Sequence, residues 1–508
     1  GDSPCSLHLP LNRLQELKKL AREGYWAVSR ALRAQVYHQL TQQVSCRLVT
    51  PDALVYRDVV SRLFGKTSVS TYPLPEFIEG CSMPTYCLNL EGITALKKIL
   101  ICVGNLFPDI TYSPILPSLV ALLLHYSEDE AQCFENISRL IASNAPHTSY
   151  IDQSFLAHQA SCMTFGDLAN KHCPAAHKLI ASTSENVFEV YSEWLSWLFH
   201  DLPFNYAIRV FDVYLLEGQK VLYRIALALL KQYRLSVTSA ELEGTDIKAD
   251  LQAFVQNIAE HVTVDKLLER AFGIRLFSRK EIWLLQMANR KALMERGITM
   301  VQSSNACPLS HRQSFHLAID MQNFSSSIVT AQEMRIIWSW IPERFSLSPP
   351  LLIICPSGQV CGAFLSSDWS ERKKSGATSG FFGTGECFVF TVRPEMERYE
   401  WVFIKKPELA KAVPTSSNHL TVPTPQRKGR LSPFLAIRHF LLPSKTASMF
   451  MSGSREGIII GGGGGQALSL DSDLLWGRTE HCETFDNPPL CQENFKVQLL
   501  EVWGFQNV

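Results

Sequence analysis

The chain has 508 residues, too many for one ordinary hydrophobic core, so two or three domains are expected. It is 46% hydrophobic and 19% charged, which excludes a disordered chain. Lys plus Arg and Asp plus Glu stand at 48 each, which excludes a general attraction to nucleic acid, so any basic site must be local.

The chain opens at Gly1 rather than methionine, so residues upstream are expected, and its first residues carry no charged-then-apolar leader. The longest nearly apolar run, Ile115–Leu124, contains Pro117 and falls short of the ~18 residues of a membrane span, so no bilayer crossing is expected. The 14 cysteines are scattered without a CxxC pair. Cys482 and Cys491 have no histidine at zinc-finger spacing. Reduced, mostly buried thiols follow, which points to the cytosol, and no metal is expected.

The first part of the chain reads as helices. Leu14, Leu17, Leu20 and Ala21 repeat at helical spacing, and Trp26, Leu32, Val36 and Tyr37 continue the pattern. Further helices are predicted over Ile93–Val103, Leu116–Tyr126, Glu130–Ala142, Asn186–Phe199, Phe204–Leu216, Val221–Lys231 and Leu251–His261. Ser278-Arg279-Lys280-Glu281 has the form of a capping box before a helix over Ile282–Glu295. Almost nothing here alternates with period two, so an all-α domain is expected over 1–300.

The pattern changes near Asn305–Ser310, and residues 301–312 read as a linker. After a last helix near Thr330–Trp340, short apolar runs bounded by Gly, Pro and Ser predict strands at Leu351–Ile354, Val360–Leu365, Cys387–Val392 and Trp401–Ile404. Residues 407–430, rich in Pro, Ser, Thr and basic side chains, read as a mobile surface loop. Apolar runs resume at Phe434–Phe440, then at Gly457–Ile460, which leads into Gly461–Gly465. The second domain, over 313–508, is thus α+β.

The five glycines invite comparison with a phosphate loop, but such a loop needs Lys-Ser/Thr after them, and Gln466-Ala467 follow. A dinucleotide fingerprint needs a helix there, whereas Ala467–Leu470 reads as a strand. A crowded turn between two strands is expected, and no cofactor. No Ser-His-Asp or Cys-His arrangement can be assembled, and His125 and His172 read as core or surface residues.

The unusual feature is cationic. VLYRIALALL, Val221–Leu230, is apolar on every side of a helix, and Arg224 sits inside it. A buried guanidinium needs a partner. Lys220 lies one turn earlier, Lys18 and Arg22 form an i, i+4 pair on the first helix, and Arg275 stands between Ile274 and Leu276. Either Arg224 pairs with Glu217 or Asp212 while Lys18 and Arg22 face solvent, or these charges converge on a pocket for a phosphorylated headgroup.

The helical part resembles a TBC domain, the module of Rab GTPase-activating proteins. The resemblance runs through Trp194-Leu195-Ser196-Trp197-Leu198-Phe199, Asp201-Leu202-Pro203, Arg209-Val210-Phe211-Asp212-Val213 and Glu217-Gly218 to Val221-Leu222-Tyr223-Arg224. The second part resembles a TLDc domain. That likeness rests on Asp368-Trp369-Ser370, Gly380-Phe381-Phe382-Gly383-Thr384-Gly385-Glu386-Cys387-Phe388, the glycine run, Thr484-Phe485-Asp486-Asn487 and Glu501-Val502-Trp503-Gly504-Phe505. The order resembles the TBC–TLDc family of the Skywalker type, which regulates synaptic vesicle traffic, and implies a TLDc domain with a β-sandwich-like core.

Active TBC domains supply an Arg from IxxDxxR and a Gln from YxQ to a Rab-bound nucleotide. The Arg finger is worth about 10³–10⁵ in rate in related systems. The first motif aligns with Ile78, where Cys81 stands for Asp and Pro84 for Arg; the second aligns with Tyr112, where Pro114 stands for Gln. Proline has no donor to offer a phosphate, so the resemblance implies a pseudo-GAP without catalytic residues. It also implies that Lys18, Arg22, Lys220, Arg224 and Arg275 form a phosphoinositide-binding pocket. Small GTPases of Rab or Arf type are the implied partners of the TBC domain. For the TLDc domain the resemblance implies oxidative-stress resistance and binding to the vacuolar proton pump. The implied location is the cytoplasm, peripheral on vesicle and plasma membranes at the presynapse. The rival readings are an active GTPase-activating enzyme using other residues, and a protein scaffold whose basic residues are structural.

One departure stands out. TLDc sequences carry a His-Gly turn, a short helix and a further strand before their Cys-Gly-Ala segment. Here Leu351–Ile354 runs through Cys355-Pro356-Ser357-Gly358 almost directly into Val360-Cys361-Gly362. The two flanking runs are expected to form a hairpin that partly repairs the sheet, in a less stable domain than the family norm.

Overall fold

The computed structural model describes residues 13–84, 86–144, 149–242, 244–275, 278–295, 297, 324–345, 351–373, 380–406 and 448–504. The chain divides into two units, Gly1–Ala318 and Ile319–Val508. The predicted linker 301–312, the loop 407–430 and the apolar run Phe434–Phe440 lie outside the described residues.

The first unit is helical, as its periodicity predicts. Helix Leu14–Glu23 buries Leu17 and Ala21 and packs on helix Phe204–Glu217. It stops at Gly24, whose φ of 75° is left-handed and suits glycine. A Cβ at Gly24 would also lie 2.7 Å from Cζ of Arg209. The apolar pattern read as continuous is therefore interrupted here. Trp26 is buried in a short turn, and a new helix, Arg30–Gln42, begins at Ser29, whose Oγ accepts from the Leu32 amide.

The middle of the unit is formed by helices Leu116–Leu124, Phe155–His172, Phe204–Glu217 and Gln219–Ser236, each largely buried. A buried ion pair joins two of the helices around this core. Asp212 accepts two hydrogen bonds from the Arg33 guanidinium, at 2.9 and 3.0 Å, and a third from the Tyr37 hydroxyl at 2.5 Å.

Several predicted boundaries move. Asn186–Phe199 is not one helix but Val187–Tyr191, Trp194–Ser196 and a π-turn, Trp197–Asp201. The wider turn lets consecutive aromatics all face inward. Trp194 stacks on Tyr223 at 4.6 Å and on Phe165 at 5.4 Å, while Trp197 meets Phe165 edge-on. The predicted helix Leu251–His261 divides into Ile247–Gln256 and a short turn, Ile258–Glu260. Helices Ala53–Phe64, Phe155–His172, Pro174–Thr183 and Val264–Phe272 were not individually predicted. No helix of the described residues is long and apolar enough to cross a membrane.

In the second unit, helix Ala331–Trp340 starts at a capping box between Thr330 and Glu333. Among the described residues two antiparallel five-stranded sheets follow. The first is ordered β10-β1-β2-β3-β4, with β1 Leu351–Cys355, β2 Val360–Phe364, β3 Phe388–Arg393, β4 Glu397–Glu400 and β10 Leu499–Trp503. The second is ordered β5-β6-β7-β8-β9, with β5 Met451–Ser454, β6 Gly457–Ile460, β7 Leu468–Asp471, β8 Trp476–Arg478 and β9 Asn494–Lys496. Leu352, Ala363 and Val389 of the first sheet share one core with Met451, Leu468 and Phe495 of the second, a sandwich as expected. On the other face of the first sheet, Trp340 meets the rings of Phe388 and Phe390.

The expected hairpin is present: Leu351 pairs with Phe364 and Ile354 with Cys361. The glycine run joins β6 to β7 as a turn, held by hydrogen bonds of Gly462 and Gly463 with Thr484 and Glu483. Trp401–Ile404 is not a strand; residues Val402–Lys405 form a single helical turn. Trp401 is locked against Gly385, where a Cβ would stand 2.2 Å from the indole. That contact turns the chain out of the sheet, and the strand falls on the polar Glu397–Glu400 instead.

Candidate functional site

Helix Gln219–Ser236 carries Lys220 and Arg224, and helix Leu14–Glu23 carries Lys18 and Arg22. Between them stands Glu217, only 4% exposed. Arg22 grips it with both forks of its guanidinium, Nη2 to Oε1 at 2.9 Å and Nε to Oε2 at 3.3 Å. Arg22 also lies 3.9 Å above the Phe272 ring, and Arg224 lies 5.5 Å from the same ring. Phe272 is thus a platform on which two guanidinium groups rest.

Arg224 donates to the backbone carbonyls of Ala271 and Ile274, at 3.2 and 2.9 Å. Those are the last carbonyls of helix Val264–Phe272 and the residues just after it, where the helix dipole favours a cation. The partner expected for Arg224 was Glu217 or Asp212. Asp212 is instead occupied by Arg33 and Tyr37, and Glu217 by Arg22, while the Glu217 charge also acts on Arg224.

The cations feel one another. Burial, then the Arg224 charge, pushes the Lys220 ammonium down to about 8; Glu217 pulls the other way, and Arg279 and Lys18 add to the depression. Lys18 is likewise lowered by burial, against Glu217, with Arg279 and Arg22 adding to the depression. A cluster of one carboxylate and several cations that destabilise each other's charge is poised to accept an anion.

Four of the five predicted residues, Lys18, Arg22, Lys220 and Arg224, therefore meet around Glu217. Arg275 is exposed and follows Ile274, the carbonyl partner of Arg224. Arg279 is the residue that sequence reasoning missed. Its Nη2 donates to the Glu217 carbonyl at 3.3 Å, and its charge acts on both lysines. It stood inside the Ser278–Glu281 capping signal, where Ser278 Oγ does accept from the Glu281 amide, and a cap reading gave its side chain no task.

The segment is positioned by Arg209. Its guanidinium donates to the Arg22 carbonyl at 3.1 Å and to Asp265 at 2.8 Å, pinning the end of the first helix beside helix Val264–Phe272.

The two segments aligned with the finger motifs also meet. The Ser113 amide donates to the Phe77 carbonyl at 2.9 Å, so that Cys81, Pro84, Tyr112 and Pro114 line one cavity of about 270 Å³. His158 lies at its wall, edge-on to Tyr112 at 5.1 Å, and burial pushes it down to about 4. It is a neutral ring at physiological pH.

An all-α unit with these paired segments, followed by a two-sheet unit, defines a TBC domain joined to a TLDc domain. The Rab-GTPase-TBC domain family matches residues 32–237, and the TLDc domain family matches 332–422 and 431–506. TBC1 domain family member 24 of Xenopus tropicalis is 54% identical over 540 residues, covering 100% of this chain and 95% of the relative. The GTPase-activating protein skywalker of Drosophila melanogaster is 28% identical over 559 residues, covering 98% of this chain and 89% of the relative. Among solved structures, the TBC domain of fly Skywalker aligns at 28% identity with a TM-score of 0.51, over 55% of this chain and 92% of that one. The same domain in complex with inositol(1,4,5)triphosphate aligns with a TM-score of 0.48 at 28% identity, over 53% and 94%. The chain belongs to the TBC–TLDc family of TBC1 domain family member 24 and Skywalker.

Proposed function

We propose that this chain is a peripheral membrane regulator of vesicle traffic whose TBC domain holds phosphoinositide headgroups. The observation that carries the reading is the meeting of Lys18, Arg22, Lys220, Arg224 and Arg279 around Glu217, a carboxylate already committed to Arg22. The TBC surface binds small GTPases of the Rab or Arf type. The TLDc domain supports trafficking and the response to oxidative stress, through partners that include the vacuolar proton pump. The site of action is the cytoplasmic face of vesicle and plasma membranes, at the presynapse.

Charge removal tests the pocket. Arg22→Gln and Arg224→Gln should each lower flotation with phosphoinositide vesicles, by roughly fivefold for a basic residue near an anionic surface. Raised salt should weaken the unaltered protein in the same way. If Arg224→Gln unfolds the unit and Arg22→Gln leaves flotation unchanged, the cluster is a structural ion pair.

A pH dependence follows from Lys220. Its folded value, about 8, lies below the ordinary lysine value, so the folded state binds fewer protons than the unfolded one between the two. Stability therefore rises with pH across that window, as Lys220 sheds an unfavoured charge. Headgroup affinity runs the other way and should fall between pH 7 and pH 9 as the ammonium is lost. Lys220→Gln should flatten that fall; an unchanged profile in this variant would assign it to another group.

On this reading the domain does not speed GTP hydrolysis by a bound GTPase through two fingers, because Pro84 and Pro114 offer no donor. The name of the fly relative, a GTPase-activating protein, favours the second reading, activation through other residues. Catalytic amounts of the chain should leave GTP hydrolysis by a panel of Rab and Arf proteins unchanged. Robust acceleration of any of them would establish the second reading.

A further inference from the structure

A second cleft shares Glu217, Lys220 and Arg279 with the cluster just described and extends from it. Its volume is about 290 Å³, and its further cations are Arg47 and Arg290. Four basic side chains thus line a space whose one acidic lining residue among those described is Glu217, which Arg22 already grips. Asp152 lies buried behind the wall, where Ser161 and Gln219 donate to it. Burial pushes its carboxyl up, and the Arg290 charge is among the influences that oppose the rise. Among the described lining residues, four cations stand against one carboxylate, so the balance of charge on the cleft wall is positive.

Its rim is apolar. Trp283 and Met287, one turn apart on helix Arg279–Glu295, line the cleft and remain 40% and 41% exposed. Leu48 and Val49, the two residues after Arg47, are 80% and 101% exposed. Large apolar side chains beside a cationic cleft are the composition of a surface that meets lipid headgroups and the layer just beneath them. A soluble anion would need the cations alone.

We propose that this cleft is a second phosphate subsite, continuous with the first through Lys220 and Arg279, and that Trp283 and Met287 enter the bilayer whose polyphosphorylated headgroup the two subsites hold. The proposal rests on the phosphoinositide reading of the first cluster. It divides the work between a charged part, Arg47 and Arg290, and an apolar part, Trp283, so that each can be removed separately.

The test uses the full chain, vesicles of phosphatidylcholine with phosphatidylinositol 4,5-bisphosphate, and soluble inositol trisphosphate as a second probe. Arg47→Gln should lower affinity for both probes roughly fivefold, and Arg47→Gln with Arg290→Gln roughly 25-fold. Arg47 is exposed, so its single variant decides the matter even where loss of Arg290, which faces Asp152, disturbs folding. Trp283→Ser should weaken vesicle binding and leave the soluble probe unaffected. Loss of binding in Arg22→Gln with none in Arg47→Gln overturns this inference and leaves the first site standing. No loss in either variant overturns both. Weaker vesicle binding by Arg47→Gln with unchanged inositol trisphosphate binding makes it a surface charge only and removes the subsite. An unaffected vesicle affinity in Trp283→Ser removes the apolar contact.

Discussion

Asp212→Ala is expected to lower the stability of the TBC unit by about 3–5 kcal/mol, the usual result of removing one partner of a buried ion pair. Asp212 is 0% exposed and Arg33 is 6% exposed. The cost arises from what remains. Burial alone would lower the Arg33 guanidinium, and the hydrogen bonds and charge of Asp212 more than reverse this, holding it firmly protonated. Without the carboxylate, the Arg33 guanidinium and the Tyr37 hydroxyl stay buried, and their hydrogen bonds to Asp212 are lost. Urea unfolding followed by tryptophan fluorescence should register the loss as an earlier first transition. Arg33→Met combined with Asp212→Leu should be less damaging than Asp212→Ala, because apolar groups need no partner. A double variant that is as unstable as the sum of its parts would show the two residues acting independently and would contradict this account.

The same pair shows why part of the site could not be read from sequence. Arg224 was legible as a cation in an apolar helix, and its need for a partner was legible too. The choice of partner was not, because Asp212 and Glu217 are both within reach along the chain, and only the packing of helix Arg30–Gln42 gives Asp212 to Arg33. Backbone carbonyls at a helix end, the actual acceptors for Arg224, carry no side-chain signature. Arg279 was hidden for a different reason. Its neighbours formed a recognisable cap, and a cap explains the backbone without saying where the intervening side chain goes.

Elements followed a similar rule. Long helices with a single apolar face, such as Leu90–Leu106 and Phe204–Glu217, were predicted close to their observed limits. The stretch from Val187 to Asp201 was not, since tryptophans and phenylalanines facing inward from several sides defeat a period of 3.6. In the TLDc unit, β4 was missed because Glu-Arg-Tyr-Glu has no apolar run, its strand being fixed by pairing with β3. The finger motifs are an intermediate case. Cys81, Pro84, Tyr112 and Pro114 are far apart in sequence, and their alignment with two family motifs brought them together before the Ser113–Phe77 hydrogen bond did.

The shortened TLDc sheet leads to the other large effect. β1 sits between β10 and β2, with Leu351–Ile354 buried, so the β1–β2 hairpin is central to its sheet. The turn that makes it possible has φ of 50° at Ser357 and 84° at Gly358, and the Gln359 amide donates to the Pro356 carbonyl at 3.0 Å. The frog relative needs 540 aligned positions to cover this chain of 508 residues, so it carries extra residues within the aligned span. Gly362 shows how little slack the short version has. A Cβ there would stand 2.1 Å from the Leu352 carbonyl oxygen and 2.6 Å from Cζ of Phe390. Gly362→Val must therefore push β2 away from β1 and also displace the Phe390 ring, which contacts Trp340. The expected loss is about 3 kcal/mol, at the upper end for overpacking because one of the two obstacles is backbone. Hydrogen exchange should register it as lost amide protection across Leu351–Cys355, Val360–Phe364 and Phe388–Arg393, with protection of Gln219–Ser236 unchanged. Restoring a TLDc insert between β1 and β2 of the unaltered chain should raise the protection of Phe388–Arg393. Equal protection with and without the insert would mean that the short hairpin is as stable as the family arrangement, and full protection in Gly362→Val would mean that β1 and β2 are not paired as described.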